Sequence, residues 1–560
     1  MIQIKNIIVI MYKSNNLAIF YHIMVALKSI IYYLKRMSNV YKVIVIIAVW
    51  ILILFFASQS SSPNPSFTKE ENKIIHPNKP VIVFMLDSLM DEPLQKAIKE
   101  GRAPALKFLI KNGKYYPNVV SSYPTMSVTI DSTLLTGTYP EHHQLPGLVW
   151  YDEKEKRIIN YGSGKKEIIT LGIKQVLQDS VYNLNNQHLS KSVKTIHEEL
   201  DKNMKHSASI NGLIYRGNYK HVLNIPKTAS FFKLMPKDQD TNGPILLSLG
   251  RLSKCNPKNN YTHLWQGFGF NDKFVAQEMK CLIQQNKLPA FTFAYLPDHD
   301  HTVHKKGPMD LKGIEKADKE LQKIFNSYDS WDEALKKGIW VVMGDSGQSA
   351  IGDDKNKSII QLKSLLQDYN IAKLGEFIKN NDEIVLAVNE RMAFIYSLNK
   401  NILLRDIASK LKKDSRIDFI AWKEKDFIHV TDEKNKGAFK FRPNGVYMDE
   451  YKQTWTLQGN PSVLDLSVNE NKIQYGAYPD ALARLYSSLH SHKGDYLIVD
   501  AKPGYEFVGE KSPTHVGGAG HGSLHKKDST TPMIVVGTDL TPKSFRQVDL
   551  KDYFLQLTNY

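Results

Sequence analysis

Cysteine is scarce in this 560-residue sequence, which contains only Cys255 and Cys281. So few cysteines exclude a disulfide framework and a cysteine-rich zinc module. One disulfide between the two is chemically permitted outside the cell, and a pair of free thiols fits the sequence equally well. Collagen-like repeats are also absent. Hydrophobic residues make up 42% and charged residues 23%, which is typical of a large globular core.

Acidic residues are missing from the first 69 positions, which carry +7 of the net charge of +16. The rest of the chain carries +9, which is mild for its length. No helix-turn-helix, zinc-finger or aromatic RNA-binding motif accompanies this charge, so the sequence predicts no nucleic-acid-binding module. Membrane topology and a lysine-rich composition explain the basic balance.

An unbroken apolar run, Val43–Ala57, predicts a transmembrane signal anchor over residues 40–58. The basic residues before this run are Lys35, Arg36 and Lys42. Their position predicts a cytoplasmic N-terminus and a single pass through the cell membrane, with the rest of the chain outside the cell. A cleaved signal peptide is the alternative, and it would give a secreted protein.

The chain divides by composition into several segments. Residues 1–36 form a basic extension, whose presence depends on whether translation starts at Met1, Met24 or Met37. The predicted segments after the anchor are a linker at 59–77, a main domain at 78–540 with a cap insertion at about 150–285 and a second insertion at about 420–475, and a C-terminal tail at 541–560.

Short apolar runs alternate with amphipathic helical patterns through the main domain. This alternation predicts an α/β/α sandwich with a largely parallel central sheet and inserted cap segments. The predicted strands are Pro80–Leu86, Phe291–Leu296, Ile339–Met343, Ile384–Val388, Phe394–Tyr396, Tyr496–Val499 and Met533–Val536.

Acidic and imidazole side chains follow several of these strands. Asp87 ends the first strand, Asp300 and His304 follow the second, and Asp345 ends the third. His521 lies in a glycine-rich loop before the last strand. One such aspartate alone is more often a helix N-cap. Together these oxygen and nitrogen donors, expected at the carboxyl edge of the sheet, suit a Zn²⁺-type site.

A hydroxyl-rich segment, YPTMSVTIDSTLLTGTYPEHH, lies at residues 123–143. It predicts a helix that begins at Ser127. The N-terminus of a helix offers free N–H groups and a positive dipole, which would stabilise an alkoxide and an incoming phosphoryl oxygen. An ordinary Ser/Thr N-cap is the alternative.

The motifs together resemble those of the type I phosphodiesterase/nucleotide pyrophosphatase family of the alkaline phosphatase superfamily. They read VFMLDS, PTMS, LLTGTYPEHH, DHTVHKKGP, VVMGDSG and GAGHGS, across roughly residues 78–540. The resemblance implies an alkaline-phosphatase-like fold and a metal-dependent hydrolase. It implies Ser127 as the nucleophile, with Thr125 and Thr129 as lesser candidates.

The resemblance further implies two divalent metal ions, with zinc as the expected metal. The first ion would be held by Asp300, His304 and His521. The second would be held by Asp87, Ser127 and Asp345.

Two positions depart from the family pattern. Ser346 stands where the family has a histidine ligand of the second metal. A serine hydroxyl is a poor substitute, so the second site is expected to bind more weakly, to take a harder ion, or to be completed by His299 or His301. The stretch Pro146–Trp150 lacks the asparagine with which nucleotide pyrophosphatases hold phosphate, which argues against nucleotide specificity.

The expected function is therefore a membrane-anchored extracellular phosphodiesterase that acts through a phosphoseryl intermediate on a small-molecule or polymer phosphoester. Two alternatives stay open. One is a catalytically impaired surface binding protein on the same fold. The other is a hydrolase of another ester, such as a phosphomonoester, phosphonate or sulfate. The sequence identifies neither the substrate nor the oligomeric state.

Overall fold

The structure, a computed structural model, describes residues 79–433 and 438–559. The predicted extension (1–36), transmembrane segment (40–58) and linker (59–77) lie outside the described residues and stay predictions. In the part of the chain that the structure describes, no helix combines the length and the apolar character that a bilayer crossing requires.

A seven-stranded central sheet organises the domain. The four pairings from Ile339–Gly344 to the edge strand Leu246–Ser248 are parallel, and the strand Thr530–Val536 runs antiparallel to both of its neighbours. The predicted α/β fold with a largely parallel central sheet is therefore confirmed. In spatial order the strands are Lys114–Val120, Thr530–Val536, Ile339–Gly344, Val81–Leu86, Phe291–Leu296, Ser207–Ile210 and Leu246–Ser248.

Both faces of the sheet are covered at its centre, which explains why the strands Val81–Leu86 and Ile339–Gly344 are continuous apolar runs. In the strand Val81–Leu86, Ile82 and Phe84 join one buried cluster with the helices Asp272–Gln284 and Leu311–Phe325. The alternate side chains Val81 and Val83 pack into a cluster on the other face. Period-two alternation thus gives two cores from one strand.

Residues 384–501 form a second sheet of nine strands, and in sequence they lie between the central strands Ile339–Gly344 and Thr530–Val536. The expectation of a single sheet was therefore wrong. The strands predicted near residues 384, 394 and 496 do form, but they pair antiparallel in this second sheet. Its strands are Ile384–Asn389, Met392–Ser397, Ile417–Glu424, Phe427–Thr431, Phe439–Met448, Thr454–Gly459, Leu466–Asn469, Lys472–Tyr475 and Asp495–Ala501.

The predicted insertions and the predicted C-terminal tail contribute strands and a helix to the two sheets and their cores. Within 150–285, the strands Ser207–Ile210 and Leu246–Ser248 extend the central sheet, so this part of the predicted cap belongs to the core. Much of 420–475 belongs to the second sheet. The helix Leu550–Leu557, in the predicted tail, buries Leu550 and Phe554 against the central sheet. The two cysteines are not joined in a disulfide.

The remaining elements connect and cover the sheets. Short paired strands occur at Val149–Asp152 with Arg157–Asn160, Tyr219–Asn224 with Asp238–Gly243, Ser349–Ala350 with Ala519–Gly520, and Ile359–Gln361 with Glu506–Val508. The other α-helices are Asp91–Lys99, Pro104–Asn112, Ser127–Thr136, Pro140–His143, Lys165–Leu171, Ile173–Gln178, Ile196–Lys202, Lys227–Phe231, Asp298–Lys306, Trp331–Lys337, Lys355–Ser358, Leu362–Leu365, Leu404–Leu411, Ala481–Ser488 and Lys526–Ser529.

Candidate active site

Three neighbouring parallel strands bring the predicted acidic residues to one edge of the central sheet. Asp87 directly follows Val81–Leu86, and Asp345 directly follows the adjacent strand Ile339–Gly344. Asp300 lies in the first turn of the helix that follows the strand on the other side. Because these strands are parallel and in register, their carboxyl ends meet, which is where ligands of open α/β sheets bind.

Asp300, His304 and His521 form a cluster that we call the first site. The Nε2 atom of His304 lies 3.2 Å from Oδ1 of Asp300, one helical turn away. The Nε2 atom of His521 lies 3.9 Å from the same oxygen. The structure therefore brings together the three residues that the resemblance assigned to the first metal.

Backbone carbonyls orient both imidazoles of the first site. The Nδ1 atom of His304 lies 2.9 Å from the carbonyl oxygen of Ala519, and Nδ1 of His521 contacts the carbonyl oxygen of Thr125. A carbonyl can only accept, so each Nδ1 carries the proton and donates it. Each Nε2 is then the nitrogen that faces Asp300, where a metal ion would replace its proton, as in a metal-binding histidine.

The charges of the first site shift the pKa values of its members in opposite directions. Burial lowers the pKa of His304, but Asp300 and Glu390 outweigh burial and raise it to about 10. Burial likewise raises the pKa of Asp300, and the opposing effect of His304 and His521 lowers it below its ordinary value. The donor set of one carboxylate and two oriented imidazoles fits Zn²⁺.

Asp87, Ser127 and Asp345 constitute the second site. The backbone amides of Ser88 and Ser346 donate to Oδ1 of Asp345 over 2.8 Å and 2.7 Å. The other oxygen of Asp345 is buried and has no hydrogen-bond partner. Burial raises the pKa of Asp345, and the nearby Ser127 hydroxyl partly opposes that rise.

The pKa of Asp87 is raised, like that of Asp345. Burial raises its pKa well above the ordinary value, and the charges of Asp345 and Asp300 raise it further. The hydroxyl of Tyr295 donates to Oδ2 of Asp87. Buried carboxylates that repel one another are stabilised by protons or by a shared cation, so this site also fits a metal ion.

Ser127 occupies the position expected of a nucleophile. It is the first residue of the helix Ser127–Thr136 and the only residue of that helix that is not fully buried. The hydroxyl of Thr125 is engaged by the loop after His521, since it accepts from the Gly522 amide over 2.7 Å. The hydroxyl of Thr129 is buried without a partner. Accessibility therefore favours Ser127.

Ser88 and Gln348 connect the two sites, and sequence reasoning missed both. The Ser88 hydroxyl donates to Oδ1 of Asp300 over 2.9 Å, while its backbone amide bonds Asp345. The amide of Gln348 donates to the same oxygen of Asp300 over 2.6 Å. Ser88 directly follows Asp87, so its place after a strand end was the available signal.

Sequence reasoning also missed Asp131. It lies one helical turn after Ser127, it is fully buried, and neither carboxylate oxygen has a hydrogen-bond partner. Burial raises its pKa well above the ordinary value, and the charge of Asp345 adds to the rise. The i, i+4 spacing from Ser127 could have identified it, because such residues share a helix face.

The two histidines considered as replacements for the missing ligand point elsewhere. His299 is buried, and its ring packs against Gly313 in the next helix, where an added Cβ would lie 2.1 Å from Nδ1 of His299. His301 is exposed and lies 2.8 Å from Nζ of Lys305. Ser346 keeps its hydroxyl buried without a partner. Among the described residues, Asp131 is the unpartnered carboxylate nearest in sequence to Ser127.

Comparison with known proteins places this geometry in a family. Residues 81–524 match the profile of the type I phosphodiesterase/nucleotide pyrophosphatase family. No curated protein matches the chain by sequence.

Solved structures share the fold at low sequence identity. Phosphonoacetate hydrolase from Sinorhizobium meliloti 1021, in complex with phosphonoformate, is 14% identical with a TM-score of 0.51, over 87% of this chain and 97% of that one. Murine ectonucleotide pyrophosphatase/phosphodiesterase 5 is 12% identical with a TM-score of 0.51, over 86% and 95%. The human protein of that name is 13% identical with a TM-score of 0.52, over the same shares. The chain belongs to the type I phosphodiesterase/nucleotide pyrophosphatase family, a family of metal-dependent hydrolases within the alkaline phosphatase superfamily.

Proposed function

We propose that this protein hydrolyses phosphodiesters outside the cell through a covalent phosphoseryl intermediate on Ser127. The protein belongs to a family of phosphoester hydrolases, and the proposal specifies the type of ester and the nucleophile. The observation that carries it is the convergence of Asp300, His304 and His521, with both imidazoles held so that Nε2 faces the carboxylate.

The chemistry begins at the partly exposed end of the helix Ser127–Thr136. The Ser127 hydroxyl loses its proton to water, and its oxygen forms a bond to phosphorus while the ester P–O bond on the opposite side breaks. The leaving alkoxide takes a proton from water. Attack by a second water then splits the phosphoserine and restores the serine. The helix N-terminus stabilises negative charge on the phosphoryl oxygens throughout.

The metal ions would be held by the two sites described above. Zinc suits the first site, which consists of Asp300, His304 and His521. A harder cation suits the second site, which consists of Asp87, Ser127 and Asp345, and Asp131 would be a further oxygen ligand in place of the family histidine at position 346. Bound divalent cations would lower the pKa of the serine hydroxyl and neutralise charge that develops on oxygen. The protein's own contribution is to exclude water from Asp87, Asp131 and Asp345 and to orient the two imidazoles.

A comparison of two chromogenic esters tests the proposal. The full chain is assayed with bis-p-nitrophenyl phosphate and p-nitrophenyl phosphate in the presence of Zn²⁺, Mn²⁺ or Mg²⁺. A preference for the diester supports the proposal. A preference for the monoester, or for a phosphonate such as phosphonoacetate, would mean that the same site acts on a different phosphorus compound. Failure to hydrolyse any of them, with every metal, favours the binding-protein alternative, which the loss of the histidine at Ser346 motivates.

We also propose that residues 40–58 anchor the protein in the cell membrane, with the hydrolase outside. The apolar run and the preceding Lys35, Arg36 and Lys42 support this orientation. Protease treatment of intact cells should degrade the hydrolase, and alkaline extraction should leave the chain in the membrane fraction. Recovery of the full-length chain in the soluble fraction would contradict the anchor.

A further inference from the structure

A hairpin of the second sheet reaches into the first site. The antiparallel strands Ile384–Asn389 and Met392–Ser397 are joined by a two-residue turn, Glu390 and Arg391. Glu390 adopts a left-handed backbone with φ of 57°, which is uncommon for a residue other than glycine, asparagine or aspartate. The Glu390 carboxylate, whose side chain is 12% exposed, faces the two imidazoles of the first site.

The position of this carboxylate matches that of a ligand. Its Oε1 atom lies 3.8 Å from Nε2 of His304 and 3.9 Å from Nε2 of His521. These are the same two nitrogen atoms that face Oδ1 of Asp300 at 3.2 Å and 3.9 Å. Ligand atoms about 2.0–2.1 Å from a tetrahedral zinc ion are separated by about 3.3–3.4 Å. Three of the four separations exceed this value by about half an ångström, which a small inward shift of each side chain removes.

The other oxygen of Glu390 holds the side chain in place. Oε2 accepts a hydrogen bond from the backbone amide of His521 over 3.0 Å. It also lies 3.8 Å from Nδ1 of His515, whose ring stacks on His304 with 4.3 Å between ring centroids. Oε1 is thereby left to face the two Nε2 atoms.

The hairpin turn is fixed on both sides of Glu390. The side chain of Asn389 pairs with the backbone of Val149, accepting over 2.9 Å and donating over 2.8 Å. The guanidinium of Arg391 is fully buried and bonds Asp528 and, over 3.0 Å, Ser349.

The turn is also bonded to the loop that carries His521. The Arg391 amide donates to the carbonyl of His521 over 3.0 Å. Gly522 follows with φ of 112°, and a Cβ there would lie 2.4 Å from the Asn389 carbonyl oxygen. Only glycine permits this approach, so the hairpin and the loop form one rigid unit.

We propose that Glu390 is a fourth protein ligand of the first metal ion, in addition to Asp300, His304 and His521. This inference rests on the proposed function, which supplies the metal at this site. The first ion would then be held by two nitrogen and two oxygen donors, and a substrate oxygen would enter as a further ligand.

Metal titration of three variants tests this ligand. Glu390→Gln keeps the size and the hydrogen bond to the His521 amide but removes the anionic donor. Glu390→Asp keeps the charge and withdraws the oxygen by one methylene. The matched control is Glu506→Gln, a fully buried carboxylate 2.9 Å from Nδ1 of His515 that belongs to neither site. Zinc affinity of the full chain is measured by competition with a chelator, and the visible spectrum is recorded with Co²⁺.

We expect zinc binding at the first site to weaken by about 100-fold in both Glu390 variants and by less than about 10-fold in the control, since even outer-shell partners are worth about 10–100-fold. The intense visible absorption of four-coordinate Co²⁺ should fall in the Glu390 variants. Circular dichroism shows whether each variant is folded. The parent protein separates the two proposals: if it binds no zinc, the metal centre of the proposed function fails as well. If it binds zinc and the Glu390 variants bind equally well, or if the control loses as much, only the Glu390 ligand is refuted.

Discussion

The first and second sites lie at the same sheet edge and balance their charges in opposite ways. In the first site, imidazoles face the carboxylates, and the pKa of Asp300 is lowered while that of His304 is raised to about 10. In the second site, the pKa values of Asp87 and Asp345 are both raised, chiefly by burial, and so is that of Asp131 in the helix that begins at Ser127. The first site compensates its charge internally, whereas in the second site Asp345 raises the pKa of Asp87 further.

This difference predicts different ions. Mixed nitrogen and oxygen donors suit zinc, whereas an all-oxygen set suits Mn²⁺ or Mg²⁺. Replacement of the family histidine by Ser346 leaves only oxygen donors among the residues assigned to the second site, and the charge of Asp345 acts on the buried carboxylate of Asp131 nearby. The experiments below separate the two sites, beginning with the largest expected effect.

Ser127→Ala should abolish turnover, by about 10⁴-fold or more, because it removes the attacking oxygen. It should leave zinc binding at the first site within about threefold. Ester hydrolysis and metal content are measured on the same sample. The matched control is Ser132→Ala in the same helix, whose buried hydroxyl donates to the Val128 carbonyl over 2.6 Å and touches neither site. Equal losses in both variants would show that helix disruption, not loss of the nucleophile, is the cause.

Asp131→Asn should weaken binding of the second ion by about 100-fold, comparable with loss of a strong partner of a metal site. Binding of zinc to the first site should not change, since Asp131 has no contact with Asp300 or the imidazoles among the hydrogen bonds of the described residues. Titration with Mn²⁺ after the first site is filled with Zn²⁺ measures the second affinity separately. Unchanged Mn²⁺ affinity would remove Asp131 from the second site.

The fold illustrates what apolar runs can and cannot reveal. Val81–Leu86 and Ile384–Asn389 are both short apolar strands, and the sequence predicted both. One is parallel in the central sheet and the other antiparallel in the second sheet. An apolar strand covered on both faces has no alternation from which to infer its partners. The short separation between the runs Ile384–Val388 and Phe394–Tyr396 was the available sign of a hairpin, since parallel strands need a longer crossover.

The candidate site divides in the same way. Asp87, Asp300 and Asp345 were predictable because they follow strands whose ends must meet. Glu390 was not, since it reaches the first site only through contacts between the hairpin and the loop at His521. Such contacts join residues 131 positions apart and leave no local pattern.

A pH series on metal-free protein distinguishes acids inside the sites from acids outside them. Burial raises the pKa of Asp500, in the second sheet, to about 7. The folded protein then keeps a proton that the unfolded chain releases above about pH 4. Its stabilising contribution is complete below about pH 4 and is lost as the pH rises through 7. The free energy of unfolding should therefore fall between about pH 4 and 7, and the fall should be smaller in Asp500→Asn by up to about 1.4 kcal/mol per pH unit in that range.

Repeating the pH series with metal ions separates the contribution of Asp500 from that of the acids at the sites. Ions should restore the stability lost through Asp87, Asp131 and Asp345, because a bound cation replaces their protons. The part due to Asp500 should persist, since its Oδ2 is bonded to the Tyr123 hydroxyl and the Leu524 amide instead. If ions remove the difference between the parent chain and Asp500→Asn, the two groups of acids are not independent.

The smallest effect is expected from His301→Ala. His301 is exposed on the helix Asp298–Lys306 beside Lys305, whereas His304 on the same helix faces the first site. A ring directed to solvent cannot replace the ligand missing at Ser346, so metal stoichiometry and turnover should stay within about twofold of the parent. Metal analysis and diester hydrolysis measure both. His304→Ala is the matched comparison and should lose zinc by about 100-fold or more. A comparable loss in His301→Ala would mean that the helix rotates when metal binds and that the second site recruits an imidazole after all.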